Sequence, residues 1–145
     1  MKIPEIINVL IITLSDRAYS GEYSDLSGPR INERLSAFCL AVGWRVIVHS
    51  KLIPDDAEML SQLLRDHSKT YNLILTTGGT GIGPRDITVE TVSPLLEREI
   101  PGIMEFIRVK YGMENPNALL SRGVAGIIGK ALIFTLPGSV KAVDE

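Results

Sequence analysis

The sequence predicts an α/β fold with a doubly wound, mostly parallel sheet and helices on both faces. Strand-like and helix-like segments alternate in the order β-α-β-α-β, which implies parallel strands joined by right-handed crossovers. The first strand is apolar throughout, as is typical of a strand that is buried on both faces. Near the C-terminus, two strand-like segments flank a short turn. This last pattern predicts a hairpin, and the sheet is therefore expected to be mixed.

Apolar spacing predicts the first two strands and the helix between them. Residues 8–14 form a continuous apolar run, and residues 44–53 form the second predicted strand. Between them, residues 15–28 are predicted to be a polar loop. Pro29 suits the first turn of the helix that follows, and Gly43 suits its end. The apolar residues of this helix are Ile31, Leu35, Phe38, Cys39 and Val42.

The later elements follow from similar patterns. Either Asp55 or Asp56 can cap the second helix, which leads to a third strand at residues 73–75. The apolar face of that helix carries Leu60, Leu63 and Leu64. The remaining predicted elements are a helix with Ile103, Phe106, Ile107 and Tyr111 on one face, a short helical piece at 117–122, and a hairpin of 124–128 and Ala131–Leu136 around Gly129-Lys130.

Length and composition fit a single domain over residues 1–145. The chain has 145 residues, of which 45% are hydrophobic, and lengths of ~100–200 residues usually give one core. The formal net charge of -2 argues against a nucleic-acid surface, which is normally basic. The lone cysteine, Cys39, suits a reducing compartment. There is no signal-peptide cleavage site and no apolar run near ~20 residues, so we expect a cytoplasmic protein that binds no membrane.

A glycine-rich segment follows the third predicted strand. Glycines allow backbone N–H groups to approach an anion closely, and threonine hydroxyls add donors, which favours a site for phosphate or a polar heterocycle. The segment lacks the Gly-Lys-Ser/Thr ending of a P-loop and the spacing of a dinucleotide fingerprint. The alternative is that its glycines only form a tight turn. The segment consists of Thr76, Thr77, Gly78, Gly79, Thr80, Gly81, Ile82 and Gly83.

Two aspartates are candidate metal ligands. Asp55 and Asp86 follow predicted strands, and the carboxyl ends of parallel strands share one edge of a sheet. Two carboxylates at such an edge can hold Mg²⁺ and bridge it to substrate phosphates. The alternatives are helix capping for Asp55, and capping or pairing with Arg85 for Asp86. No histidine and cysteine residues have metal-ligand spacing, so a structural zinc is not expected.

Three further segments can contribute to the same edge. Ser15 and Asp16 leave the first strand, although this pair could simply cap a turn. Ser121 and Arg122 add a hydroxyl and a guanidinium fork. A tight turn leaves the last predicted strand. That turn consists of Pro137, Gly138 and Ser139.

Taken in order, these segments resemble the MogA/MoaB family, and the resemblance spans nearly the whole chain. They are also similar to the molybdopterin-binding G domain of gephyrin and of its plant counterpart. Five motifs in one order are far more specific than one glycine loop. The segments are Ser15-Asp16-Arg17, Leu52-Ile53-Pro54-Asp55, Thr76-Thr77-Gly78-Gly79-Thr80-Gly81 with Arg85-Asp86, Leu120-Ser121-Arg122 and Leu136-Pro137-Gly138-Ser139.

The resemblance implies a domain, usually a homotrimer, that binds molybdopterin and transfers AMP from magnesium-ATP to its terminal phosphate. By position, Asp55 and Asp86 match the catalytic aspartates of the family, and they are the candidate Mg²⁺ ligands. Ser15 and Asp16 match a nucleotide-binding loop. The positions that match the pterin-binding surface are Thr76, Thr77, Gly78, Gly79, Thr80, Gly81, Ser121, Arg122, Pro137, Gly138 and Ser139.

Departures from the family pattern and two alternatives accompany this prediction. Val89 and Val140 stand where many relatives have proline, which affects local loop shape. Relatives usually continue through a terminal helix beyond the position of Glu145. One alternative is a family member that binds molybdopterin without transferring AMP and acts in molybdate insertion or cofactor carriage. The other is a generic anion-binding or assembly domain in which the glycine loop serves only structure.

Overall fold

Over residues 2–145, the part of the chain that the computed structural model describes, six strands form one mixed sheet with the order β2-β1-β3-β6-β5-β4. Strands β1, β2, β3 and β6 are parallel, whereas β5 is antiparallel to both of its neighbours. The mixed sheet and the predicted C-terminal hairpin are therefore confirmed. The strands are β1 (Ile6–Leu14), β2 (Arg45–Ile53), β3 (Leu73–Thr77), β4 (Arg98–Glu99), β5 (Ala125–Ile128) and β6 (Ala131–Leu136).

Helices cover both faces of the sheet, as the doubly wound prediction requires. Alternate residues of β1 point to opposite faces. Leu10 belongs to a cluster with residues of α3 and α4, and Val9 to a second cluster with residues of α2. The helices are α1 (Asp16–Tyr19), α2 (Ser27–Ala41), α3 (Ala57–His67), α4 (Thr88–Val92), α5 (Pro101–Gly112) and α6 (Val140–Asp144), with 3-10 turns at Ser93–Leu95 and Pro116–Leu120.

The structure decides which aspartate caps α3. Asp56 has an extended backbone, and its Oδ1 accepts a hydrogen bond from the Met59 N–H at 2.8 Å. Asp56 is therefore the N-cap, and Asp55 is left for other contacts. Leu60 and Leu64 are fully buried beneath this helix, as its apolar spacing predicts.

Several predicted boundaries are wrong. The helical piece predicted at 117–122 is a 3-10 turn at Pro116–Leu120, and Ser121 is extended. Strand β3 continues to Thr77 instead of ending at Leu75, because Thr76 and Thr77 pair with β1 on one side and β6 on the other. Two neighbouring strands keep these β-branched residues extended. The predicted polar loop at 15–28 contains the short helix α1 and the first residues of α2. Ser15 caps α1, since its Oγ accepts from the Ala18 N–H at 3.2 Å.

Some apolar helical faces are not covered. In α5 the buried residue is Met104, whereas Phe106 of the predicted inner face is 67% exposed. In α2, Phe38 is more than half exposed, and its ring meets Trp44 edge to face. A helical period locates an apolar face but does not reveal what covers it. None of the helices in residues 2–145 has both the length and the apolar character needed to cross a membrane.

Candidate active site

The loops predicted to converge meet at one edge of the sheet. Because β1, β2, β3 and β6 run parallel, the segments that follow them lie at the same edge. Backbone hydrogen bonds join these segments in pairs. Ser15 N–H donates to Ile53 O, and Gly78 N–H donates to Leu136 O, both at 3.0 Å.

The glycine-rich loop packs closely against α4. Gly79 has φ 69°, and a Cβ added there would lie 2.3 Å from the Thr88 hydroxyl oxygen. That hydroxyl donates to Gly78 O at 2.8 Å, and the Thr88 N–H donates to Gly79 O at 3.0 Å. Gly79 is therefore required by the turn and its packing. The tight-turn interpretation holds for this position.

The threonines of the loop have different surroundings. Thr76 and Thr77 are fully buried in β3, and the Thr77 hydroxyl donates to Pro137 O at 2.9 Å. The Thr76 hydroxyl is buried without a hydrogen-bond partner among the described residues. The Thr80 hydroxyl lies 3.2 Å from the Ser121 hydroxyl. Thr77 and Thr80 thus join the glycine-rich loop to two other segments of the predicted site.

A cleft of about 560 Å³ opens beside the loop, between α5 and the C-terminal segment. Its size suits a small-molecule ligand. Eight residues of the predicted pterin-binding surface line it, together with Asp86. These eight are Gly78, Gly79, Thr80, Gly81, Ser121, Pro137, Gly138 and Ser139.

Two cationic residues of the cleft were not found from the sequence. Arg108 lies on α5 and donates from a terminal nitrogen to Gly123 O at 2.9 Å and Ser121 O at 3.4 Å. Lys141 lies in α6, whose N-cap is Ser139. An anionic ligand requires such donors because the chain has no net positive charge. Lys141 follows Pro137-Gly138-Ser139 closely and could have been noticed, whereas Arg108 has no motif around it.

Asp16 and Asp55 bind each other's backbone at the cleft edge of the sheet. The Asp16 N–H donates to Asp55 Oδ2 at 3.2 Å, and the Asp55 N–H donates to Asp16 Oδ1 at 2.9 Å. The remaining oxygen of Asp16 accepts from the guanidinium of Arg85. Arg85 is therefore paired with Asp16, and the alternative that it pairs with Asp86 is wrong. These contacts tie the loop after β1 to the loops after β2 and β3.

Asp86 is held within its own loop. Its Oδ2 accepts from the Gly83 N–H at 2.8 Å, so it does cap a turn. A Cβ added to Gly81 would lie 2.8 Å from the same oxygen. The absence of a side chain at Gly81 leaves room for the carboxylate. Capping does not exclude a second role, because Asp86 also lines the cleft.

The two candidate catalytic carboxylates interact electrostatically. Partial burial raises the pKa of Asp55 above its ordinary value, and the negative charge of Asp86 raises it further. A cation between them would relieve this repulsion, and carboxylate oxygens suit Mg²⁺. Within residues 2–145, no three His, Cys, Asp or Glu side chains form a metal cluster. Magnesium often keeps several waters and takes substrate phosphates as ligands, so the pair fits it as a partial ligand set.

Comparison with known proteins identifies the family. The sequence profile described as a probable molybdopterin binding domain matches residues 10–145. The chain belongs to this family. The resemblance seen in the sequence is therefore confirmed.

Curated relatives from this molybdopterin-binding domain family differ in how much of their length is matched. The chain is 43% identical over 143 residues to gephyrin of Dictyostelium discoideum, covering 93% of this chain but 20% of that protein. It thus spans about a fifth of gephyrin. It is 37% identical over 141 residues to molybdopterin adenylyltransferase of Helicobacter pylori J99, covering 96% of this chain and 78% of that protein.

Solved structures confirm the fold of the family member. The molybdopterin biosynthesis enzyme MoaB of Thermus thermophilus superposes with a TM-score of 0.81 at 40% identity, covering 94% of this chain and 84% of that chain. The tungsten cofactor synthesizing protein MoaB of Pyrococcus furiosus gives a TM-score of 0.82 at 37% identity, covering 98% of this chain and 88% of that chain. The predicted α/β fold is therefore that of known MoaB structures.

Asp55→Asn is expected to make this molybdopterin-binding domain more stable at neutral pH, while leaving its stability unchanged in acid. Because the folded-state pKa of Asp55 is raised, ionising this carboxyl costs stability as the pH rises from the unfolded pKa through the folded pKa. Asparagine keeps an oxygen for the Asp16 N–H and cannot ionise. Thermal unfolding of parent and variant from about pH 3 to about pH 8 measures the difference. If the variant instead became less stable than the parent as the pH rises, the expected direction of the stability difference would be wrong.

Proposed function

We propose that the chain adenylylates molybdopterin, with ATP as the AMP donor and Mg²⁺ as the metal. The observation that carries the proposal is that Asp86 lines the cleft together with eight residues of the predicted pterin-binding surface. The negative charge of Asp86 also raises the pKa of Asp55. A relative covered over 78% of its length is named molybdopterin adenylyltransferase, which supports the same reaction. A cleft beside an acidic pair suits a reaction that joins an anionic substrate to a nucleotide phosphate, because such reactions depend on positioning and on charge neutralisation.

The proposed reaction is a displacement at phosphorus. An oxygen of the molybdopterin phosphate attacks the α-phosphorus of ATP, a new P–O bond forms, and the bond to the β-phosphate breaks, so that pyrophosphate leaves with the electron pair. Bound Mg²⁺ would supply positive charge to the phosphates. The protein's own residues position the two phosphates and neutralise their charge.

Individual roles follow from where the side chains lie. Lys141 and Arg108 in the cleft are suited to the molybdopterin phosphate. The glycine-rich loop and the segment Pro137 to Ser139 hold the pterin, with Thr76 and Thr77 supporting them from β3. Ser15 and Asp16 lie at the same edge beside Asp55, which suits the nucleotide. The guanidinium of Arg122 donates to carbonyl oxygens of Gly81 and Asp86 and is therefore assigned to the loop.

The direct test is an AMP-transfer assay. The purified chain is incubated with molybdopterin, ATP and Mg²⁺, and adenylylated molybdopterin and pyrophosphate are measured together. Equal amounts of both are expected, and omission of Mg²⁺ should abolish them. Binding of molybdopterin with no product would favour the alternative of molybdate insertion or cofactor carriage. Absence of binding would favour a generic anion-binding or assembly domain and would contradict the proposal.

We also propose that the chain forms a homotrimer and acts in the cytoplasm. Exposed apolar side chains support association, since Phe106, Val109 and Met113 of the α5 region are all more than 60% exposed. Sedimentation equilibrium should give three times the chain mass of 15.9 kDa. A monomer mass at every protein concentration would contradict the trimer and leave the site argument intact.

A further inference from the structure

Arg122 binds the glycine-rich loop at both ends of the segment that carries Asp86. Its backbone N–H donates to Thr80 O at 2.9 Å. Its Nε donates to Gly81 O at 2.8 Å, and a terminal nitrogen lies 3.4 Å from Asp86 O. One residue thus spans the segment 80–86. The sequence places Arg122 at the pterin-binding surface, whereas its guanidinium contacts in the structure are with the loop and with α4.

Glu90 of α4 holds the guanidinium of Arg122 in place. The Glu90 carboxylate accepts from both terminal nitrogens of Arg122, in a bidentate arrangement with one distance of 3.3 Å. The hydrogen bond to Arg122 lowers the pKa of Glu90, so this carboxylate stays ionised. A bidentate pair fixes the plane of a guanidinium as well as its position. Glu90 therefore determines the direction in which Arg122 donates to the loop.

Apart from the ion pair of Arg85 with Asp16, the segment between these contacts is held mainly by hydrogen bonds within itself. Residues 82–85 are exposed, and Ile82 is 71% exposed. Within the segment, the Asp86 N–H donates to Gly83 O at 3.1 Å, and the Asp86 carboxylate accepts from the Gly83 N–H. Exposed ion pairs contribute little to the stability of a whole domain. The contacts of Arg122 should therefore matter for local opening of the loop.

We propose that Glu90 and Arg122 form a positioning pair that fixes segment 80–86 and thereby holds the Asp86 carboxylate at the cleft. Glu90 acts only through Arg122, and Arg122 acts through the carbonyls of the loop. The consequence for catalysis rests on the proposed function. The consequence for the loop does not, because it concerns the conformation of the free protein.

Glu90→Gln and Arg122→Gln test the pair by two measurements. Amide hydrogen exchange across segment 80–86 should become faster in both variants, while the thermal midpoint stays at the parent value. AMP transfer should lose about tenfold to a hundredfold in kcat, as is usual when a partner of a functional residue is removed. The KM values for molybdopterin and ATP should change much less. A rise in KM with parent kcat would instead assign Arg122 to substrate binding and would overturn the proposal.

A charge exchange and a matched control sharpen the test. The double variant Glu90→Arg with Arg122→Glu keeps an ion pair, but glutamate cannot donate to Gly81 O or Asp86 O, so neither measurement should recover. Recovery of parent-like hydrogen exchange and AMP transfer in the double variant would show that an ion pair alone is sufficient, and it would overturn the proposal. Glu33→Gln is the matched control. Its carboxylate lies 2.8 Å from the guanidinium of Arg30 on α2, and the variant should show parent values of hydrogen exchange and AMP transfer.

Hydrogen exchange also separates the two proposals. If the parent chain transfers no AMP, the proposed function fails, but faster exchange in both variants still supports the positioning pair. If exchange in segment 80–86 is unchanged in both variants, the positioning pair is overturned whatever the activity of the parent.

Discussion

Asp86→Asn is expected to lower single-turnover AMP transfer by about 10²-fold or more while molybdopterin still binds. Asparagine keeps an oxygen that can accept from the Gly83 N–H, so the loop should retain its turn. What is lost is the negative charge at the cleft, which we propose holds the magnesium that would offset the charge on the transferred adenylyl group. An interaction that is made mainly in the transition state lowers kcat without weakening ground-state binding.

Asp56→Asn is the matched control for this charge removal. It changes another aspartate, the one next to Asp55 in the sequence, to the same residue, and asparagine is an acceptable N-cap for α3. Transfer and thermal midpoint should therefore stay close to the parent values. Near-normal transfer by Asp86→Asn at saturating Mg²⁺ would show that Asp86 only caps its turn, and the catalytic proposal would have to be abandoned.

Gly79→Val is expected to destabilise the domain by about 2–5 kcal/mol. The left-handed φ of 69° costs a side chain about 1–2 kcal/mol, and forcing a Cβ against the Thr88 hydroxyl adds about 1–3 kcal/mol. Such a loss is large beside the ~5–15 kcal/mol that stabilises an ordinary domain. The Thr88 hydroxyl would also lose its hydrogen bond to Gly78 O, so the loop itself should change conformation. Urea unfolding followed by circular dichroism measures the shift.

Gly102→Val provides the comparison for Gly79→Val. Gly102 lies in the first turn of α5, and a Cβ added there meets no atom within 4 Å. The same substitution should therefore change stability by no more than about 0.5 kcal/mol. Equal urea-unfolding midpoints for Gly79→Val and the parent would show that the loop accepts a side chain. In that case, close packing would not explain why glycine stands at position 79.

Much of the fold could be predicted because it depends on local patterns. Strand β1 is apolar at every position from 9 to 12, so its burial does not depend on which face each side chain takes. The turn Gly129-Lys130 follows from residue type alone, and Gly129 has the expected positive φ of 57°. Strand β4 has only two residues and carries no pattern that could have been found.

Helical faces show where a local pattern is insufficient. The spacing of Phe106 and Tyr111 identifies an apolar face of α5, yet Met104 is the residue that is buried. The direction a helix faces depends on how it lies over the sheet, which its own sequence does not contain. Asp55 and Asp56 present the same difficulty, because both precede α3 and only the backbone conformation selects Asp56 as the cap.

The sequence by itself determined the family, the succession of the central strands along the chain and the loops that carry the candidate site. Ordered motifs and periodic apolar runs are local features, so they can be recognised without the fold. Only the tertiary structure decided that Arg85 pairs with Asp16, that Arg122 pairs with Glu90, and that Arg108 and Lys141 line one cleft. Arg122 and Glu90 stand 32 positions apart on different elements. An ion pair between residues so far apart forms only when the chain folds and brings the two elements together, so no local sequence pattern indicates it.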